Sequence, residues 1–212
     1  GMERILKKQP APVRALTIHP LRRYESSIYD TPIPAYVIKH SSDGVTIDIA
    51  TSELADGQSG STIQPFESVP AQNLTLFKHD FTFGHLADTT DKKFVEVFGV
   101  LENRADDSDF QSPDMIIETE TGHVYVVEFT TTMGDANSAD LAARNKIAKY
   151  EIACLDRSAI KPISLYIIAV HFNGVVSNLD LSDEEVNEIV FRFRLARDIF
   201  EELREINPAL FD

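Results

Sequence analysis

Residues 112–131 read SPDMIIETETGHVYVVEFTT, two β-rich runs around a Gly-containing turn. Each run carries an acid, Asp114 and Glu128, in a setting otherwise suited to burial. A three-residue loop, Glu120-Thr121-Gly122, with Gly122 in the left-handed position, sets Thr119 against His123. Counting back, Asp114 then lies opposite Glu128, and period-two alternation groups Asp114, Ile116 and Glu118 with Val124, Val126 and Glu128 on one face. A two-residue loop would instead place the two acids on opposite faces. Like charges directly opposed destabilise a sheet. Two such carboxylates can share a proton or a divalent cation, and the cation is the more economical answer.

The rest of the chain supplies a frame for this hairpin. With 212 residues, 43% hydrophobic and 9% aromatic, it can build a substantial core. No apolar run approaches the roughly 20 residues of a membrane span, and no signal-peptide pattern opens the chain. Gly1 before Met2 reads as an expression scar, and NPALFD at the other end as a boundary of expression. The lone cysteine, Cys154, forms no internal disulfide, which suits a reducing compartment. A formal net charge of -14 argues against a broad basic surface gripping nucleic acid. It is compatible with a nuclease whose acids recruit cations.

VTIDIA is a short strand between the loops HSSDG and SELADGQSGS. Residues 73–99 read as two helices broken near DTTD, with Thr89 or Thr90 capping the second. ENRADDSDFQSP is a loop. Its DDSD, residues 106–109, lacks EF-hand spacing and reads as solvated. ANSADLAARNKIAKYEIAC is a helix starting near Asn137 or Ser138. PISLYIIAV is a central buried strand, and GVVSNLDL continues the sheet. From residue 182 a long amphipathic helix closes the chain, opened by a capping box of Ser182 and Glu185. It presents Val186, Ile189, Val190, Phe193, Ile199 and Leu203 as a packing face, which could also dock on a larger protein. Together these predict one α/β domain over residues 1–212, a mixed β-sheet with flanking helices.

Pro113-Asp114, a hairpin, and Glu128-Phe129-Thr130 resemble the PD-(D/E)xK nuclease superfamily, whose acids hold metal at strand ends. That superfamily usually has a lysine where this chain has Thr130. Lys146 on the next helix, with Lys149 as second choice, can supply the charge. They are three apart and share a face beside Tyr150. Such a lysine orients water or neutralises charge on a phosphate, whereas an isolated helix lysine is ordinarily solvated. His79 and Asp80 precede aromatic residues, and Asp88 and Asp91 follow. His79 and His85 are six apart and diverge on a straight helix, so there is no HExxH-type pair. His19, His40, His123 and His171 have no patterned acidic partners.

Taken together, FKHDFTFGHLADTTDKKF, SPDMIIETETG, VVEFTT and KIAKYE resemble the cap-snatching endonucleases at the N-terminus of phlebovirus L proteins, the bunyavirus RNA polymerases. The likeness extends to HPLRRYE and GVVSNLDL…RFRLA. It implies metal binding by His79, Asp91 (Asp88 as fallback), Asp114 and Glu128, with the backbone carbonyl of Phe129 completing a shell. Asp114 bridges two ions, and Lys146 is catalytic beside Asp114 and Glu128. Threonine at Thr130 is what this family shows.

The implied chemistry is hydrolysis of single-stranded RNA by two divalent ions roughly 3.5–4 Å apart, one activating water and the other stabilising the leaving oxygen. A histidine among oxygen ligands favours Mn²⁺, with Mg²⁺ less effective. The family takes capped leaders from host mRNA to prime transcription as part of the L polymerase, in host-cell cytoplasm, near the Golgi and in virions. No aromatic sandwich for the cap is evident, which places cap binding elsewhere in the polymerase. Lys92 and Lys93 are weak candidates for RNA contacts, equally readable as a solvated face. The rivals are a DNA-cleaving nuclease of the superfamily and a non-catalytic polymerase scaffold.

Overall fold

The computed structural model describes residues 1–28, 31–42, 44–49, 66–69, 71–87, 92–101 and 107–211. The strands of the main sheet are β1 (Leu16–Thr17), β2 (Arg22–Glu25), β6 (Met115–Glu118), β7 (Val124–Thr131), β8 (Ile163–His171) and β9 (Gly174–Ser177). They run in the order β2-β9-β8-β7-β6, with β1 also beside β8. β8 pairs in parallel with β7 along Val124↔Ile163 to Thr131↔Val170, and antiparallel with β9. The sheet is therefore mixed. β8 is central and buried along its whole length, as its unbroken apolar run predicts.

Parallel neighbours need a crossover, and α4 (Ala136–Arg157) supplies it between β7 and β8. Its cap is Asp135, which accepts from the Ser138 N–H at 3.0 Å and precedes the predicted Asn137 or Ser138. The carboxylate of Asp135 wins because it reaches the orphan N–H three residues on. On the other face lies α5 (Asp183–Ile206), opened by the predicted Ser182–Glu185 capping box. Its six predicted packing residues are all buried, in one cluster with Met115, Val127 and Phe129.

The segment 73–99 is less helical than predicted. A 3-10 turn (Ala71–Leu76) leads into α2 (Phe77–Phe83), and α3 covers only Phe94–Phe98. The N-cap of α3 is Lys93, whose N–H donates to Glu96 Oε2 at 2.9 Å. Thr89 and Thr90 lie outside the described residues. In α3, Phe94 and Phe98 are buried in the core with Val97 packed beside them, and Gly99 ends the helix at φ 74°.

Two further features depart from the sequence reading. VTIDIA belongs to a separate antiparallel sheet of β3 (Tyr36–Ser41), β4 (Gly44–Ile49) and β5 (Phe66–Val69). Residues 1–7, for which the sequence made no prediction, carry α1 (Met2–Lys7), with Met2, Ile5 and Leu6 in the core. Asp109, predicted to be solvated, is 3% exposed and paired with Arg157 at 2.5 Å. The guanidinium also lies 4.9 Å from the Phe94 ring. A fully buried arginine demands a partner, and Asp109 provides it.

Candidate metal centre

The opening hairpin folds by the three-residue loop. The Thr119 N–H donates to His123 O at 2.8 Å, and the Gly122 N–H to Thr119 O at 2.9 Å, with Gly122 at φ 83°. The register runs Met115↔Val127 to Glu118↔Val124. One step further, Asp114 faces Glu128. Ile116, Val124 and Val126 share their side of the sheet and pack under α4 with Tyr150, Ala153 and Cys154.

β6 begins at Met115, so on that side the main chain of β7 at Phe129 has no ladder partner, although β8 still pairs with it on the other. Side chains fill the gap on the β6 side. Asp114 Oδ2 accepts from the Phe129 N–H at 2.8 Å, and Glu128 Oε1 accepts from the Asp114 N–H at 2.7 Å. α2 brings His79 to the same spot. Its Nε2 stands 3.2 Å from Phe129 O and 3.3 Å from Asp114 Oδ2. Its ring leans on Phe83 and Phe129. Arg192 of α5 holds α2 in place, donating from Nε to Phe81 O at 3.0 Å.

From α4, Lys146 Nζ lies 3.5 Å from Glu128 Oε2, and the Tyr150 hydroxyl one turn later donates to Glu128. Lys149 instead sits over the Tyr150 ring, 5.1 Å from its centroid. The two lysines share a helix face, but at about 100° per residue Tyr150 and Lys149 fall on opposite flanks of Lys146.

Electrostatics answer the question the two acids posed. Glu128 is 4% exposed, and burial together with the Asp114 charge pushes its carboxyl up to about 7. Burial also opposes ionisation of Asp114, but His79 and the Phe129 N–H hold that carboxyl below its ordinary range. Burial works against a charged His79 as well, yet Asp114 and Asp80 outweigh it and lift the ring to about 10. The two carboxyls therefore resist ionising together, and Asp114 is the more acidic of the pair. Burial and then the charges of Glu128 and Asp114 push the Tyr150 hydroxyl up, so it stays a donor.

An imidazole nitrogen, a carboxylate oxygen and a carbonyl oxygen converging on one point fit a borderline divalent ion. No group of three His, Cys, Asp or Glu side chains gathers at ligand distance among the described residues. The convergence found is two side chains and a main-chain oxygen, with Glu128 behind them. Asp91 and Asp88 lie outside the described residues. Lys92 and Lys93 are exposed, and neither contacts the acids. Of the histidines set aside, His123 is buried against Ser164 Oγ at 3.1 Å, and the His171 ring accepts from the Asn173 N–H. Sequence reasoning overlooked the 3.1 Å contact of Asp80 Oδ1 with His79 Nδ1 and the grip of Tyr150 on Glu128. The one available signal was the i, i+4 spacing of Lys146 and Tyr150.

The fold is that of the cap-snatching endonucleases. A solved phenuiviridae cap-snatching endonuclease, 97% identical, superposes with a TM-score of 0.84 over 95% of this chain and 98% of its own. A solved Toscana virus cap-snatching endonuclease, 94% identical, gives 0.82 over 95% of this chain and 98% of its own. The family described as the L protein N-terminus matches residues 5–212, and the chain belongs to it. It is 99% identical over 211 residues to the RNA-directed RNA polymerase L of Toscana virus, covering 100% of this chain and 10% of that protein. The Rift valley fever virus L polymerase is 38% identical over 210 residues, covering 99% of this chain and 10% of its own. The chain thus spans about a tenth of the polymerases it matches.

Proposed function

We propose that this chain is a metal-dependent endoribonuclease, folded as one domain over residues 1–212. It cleaves single-stranded RNA so that capped fragments of host mRNA prime transcription by a viral L polymerase in the host-cell cytoplasm. The convergence of His79 Nε2, Asp114 Oδ2 and Phe129 O beside Glu128 and Lys146 carries this reading.

Two bound Mn²⁺ ions, with Mg²⁺ less effective, would supply Lewis-acid stabilisation of the phosphate and a more acidic water. His79, Asp114, Glu128 and the Phe129 carbonyl are the described ligands, and Asp91 or Asp88 would add a further acid. Asp114 stands between His79 and Glu128 and so serves both positions. Tyr150 and Lys146 hold Glu128 from α4. Lys146, half-exposed at 33%, can also turn toward solvent and meet charge building on a phosphate.

The test is cleavage of an unstructured RNA strand with Mn²⁺, Mg²⁺ or chelator, beside a DNA strand of equal length and Asp114→Ala protein. Manganese-dependent RNA cutting lost in Asp114→Ala is the expected result. Cutting of DNA alone would move the chain to DNA cleavage. No cutting and no Mn²⁺-induced rise in melting temperature would leave a scaffold domain.

A further inference from the structure

We propose that Asp80 is a positioning residue for the metal centre, acting through His79. The inference rests on His79 being a metal ligand, as proposed above. An imidazole offers a lone pair at only one nitrogen, and the hydrogen bond at the other nitrogen decides which. Here Nε2 faces Asp114 Oδ2 and Phe129 O, while Nδ1 lies 3.1 Å from Asp80 Oδ1. The Nδ1–H donates to that carboxylate, which leaves Nε2 as the ligating atom. The ring is held against rotation by Phe83, with centroids 5.6 Å apart, and by Phe129 at 6.4 Å. The same carboxylate makes the coordinating nitrogen a stronger donor, as carboxylate–histidine–metal arrangements do in general.

The fold places this carboxylate at little cost. Asp80 follows His79 on α2, and its side chain is 53% exposed. A contact so open to water contributes little to the stability of the metal-free chain. Its use lies in fixing which nitrogen carries the proton in a ring that is itself 30% exposed.

The experiment follows melting of the 212-residue chain during Mn²⁺ titration for wild type, Asp80→Ala, Asp80→Asn and His79→Ala. The readout is the Mn²⁺ concentration giving half of the maximal rise in melting temperature. Asp80→Ala is expected to raise that midpoint about 10–100-fold. Asp80→Asn, whose amide oxygen still accepts from Nδ1 without the charge, shifts it less. Without metal, both Asp80 variants should melt within about 2 °C of wild type. His79→Ala should lose most of the rise. An Asp80→Ala midpoint equal to wild type overturns the role of Asp80 and leaves the metal site standing. So does a lowered metal-free melting temperature with an unchanged midpoint. A wild type that shows no rise with Mn²⁺ overturns the metal site and the inference with it.

Discussion

The Asp114 N–H donates to Glu128 Oε1 at 2.7 Å, so each of these opposed acids is tied to the other's strand. This bond fixes where the Glu128 carboxylate points, and the Phe129 N–H, donating to Asp114 Oδ2 at 2.8 Å, does the same for Asp114.

Replacing Asp114 by alanine removes the acceptor of the Phe129 N–H and the oxygen facing His79. Cleavage of RNA in Mn²⁺ should fall by about 10²-fold or more, as when a group stabilising developing charge is lost. The same loss should appear in wild type after chelation. Initial rates on a labelled strand measure both, and a variant retaining most of its rate would remove Asp114 from the centre.

Lys146 and Lys149 should separate cleanly. Only Lys146 reaches Glu128, at 3.5 Å, while Lys149 covers the Tyr150 ring. Lys146→Ala is expected to lower the cleavage rate about 10²-fold while keeping the Mn²⁺-induced melting shift. Lys149→Ala should change the rate only slightly. Equal losses in the two variants would show that helix charge, not a placed ammonium, is what the reaction uses.

Acidity should tune metal-free stability in a defined direction. Glu128 is raised to about 7, so the folded chain holds a proton there that the unfolded chain releases near the ordinary carboxylate value. This contribution is present at low pH and lost as pH rises through about 7. His79, raised to about 10, adds stability below the ordinary histidine value that is lost as pH climbs toward 10. Asp114 acts oppositely, its stabilisation fading as pH falls through its lowered value. Since a bound ion replaces the protons on Glu128 and His79, the melting rise from a fixed Mn²⁺ concentration should be larger at about pH 8 than at about pH 6. A rise that shrinks with pH would contradict this assignment.

Asp109→Ala should act on the fold alone. It strands the fully buried Arg157, whose Nε has no partner among the described residues. The expected cost is about 3–5 kcal/mol, read as a drop in melting temperature of several degrees. Cleavage per folded molecule should be unchanged at a temperature where the variant remains folded.

By itself the sequence determined the elements whose signals are local. The 119–123 loop needed a left-handed residue and has Gly122. Ser182 and Glu185 cap each other within one turn. The uninterrupted run of β8 could only be buried on both faces. That Asp114 and Glu128 fall opposite one another follows from the three-residue loop, which the sequence left open against a two-residue one and the fold adopts. Tertiary structure decided everything that depends on neighbours distant in sequence. The burial of Phe94 and Phe98 in α3 depends on the core they meet, and β3 and β5 on pairing with β4. The choice of Lys146 over Lys149 was settled by the rotation of α4 on the sheet. His79 came to Asp114 because Arg192 of α5 clamps α2, a contact spanning 111 positions. Alternation and capping act through a few bonds and are written in adjacent residues. A metal centre is a meeting of strand end, loop and helix, and only the packed chain fixes where they meet.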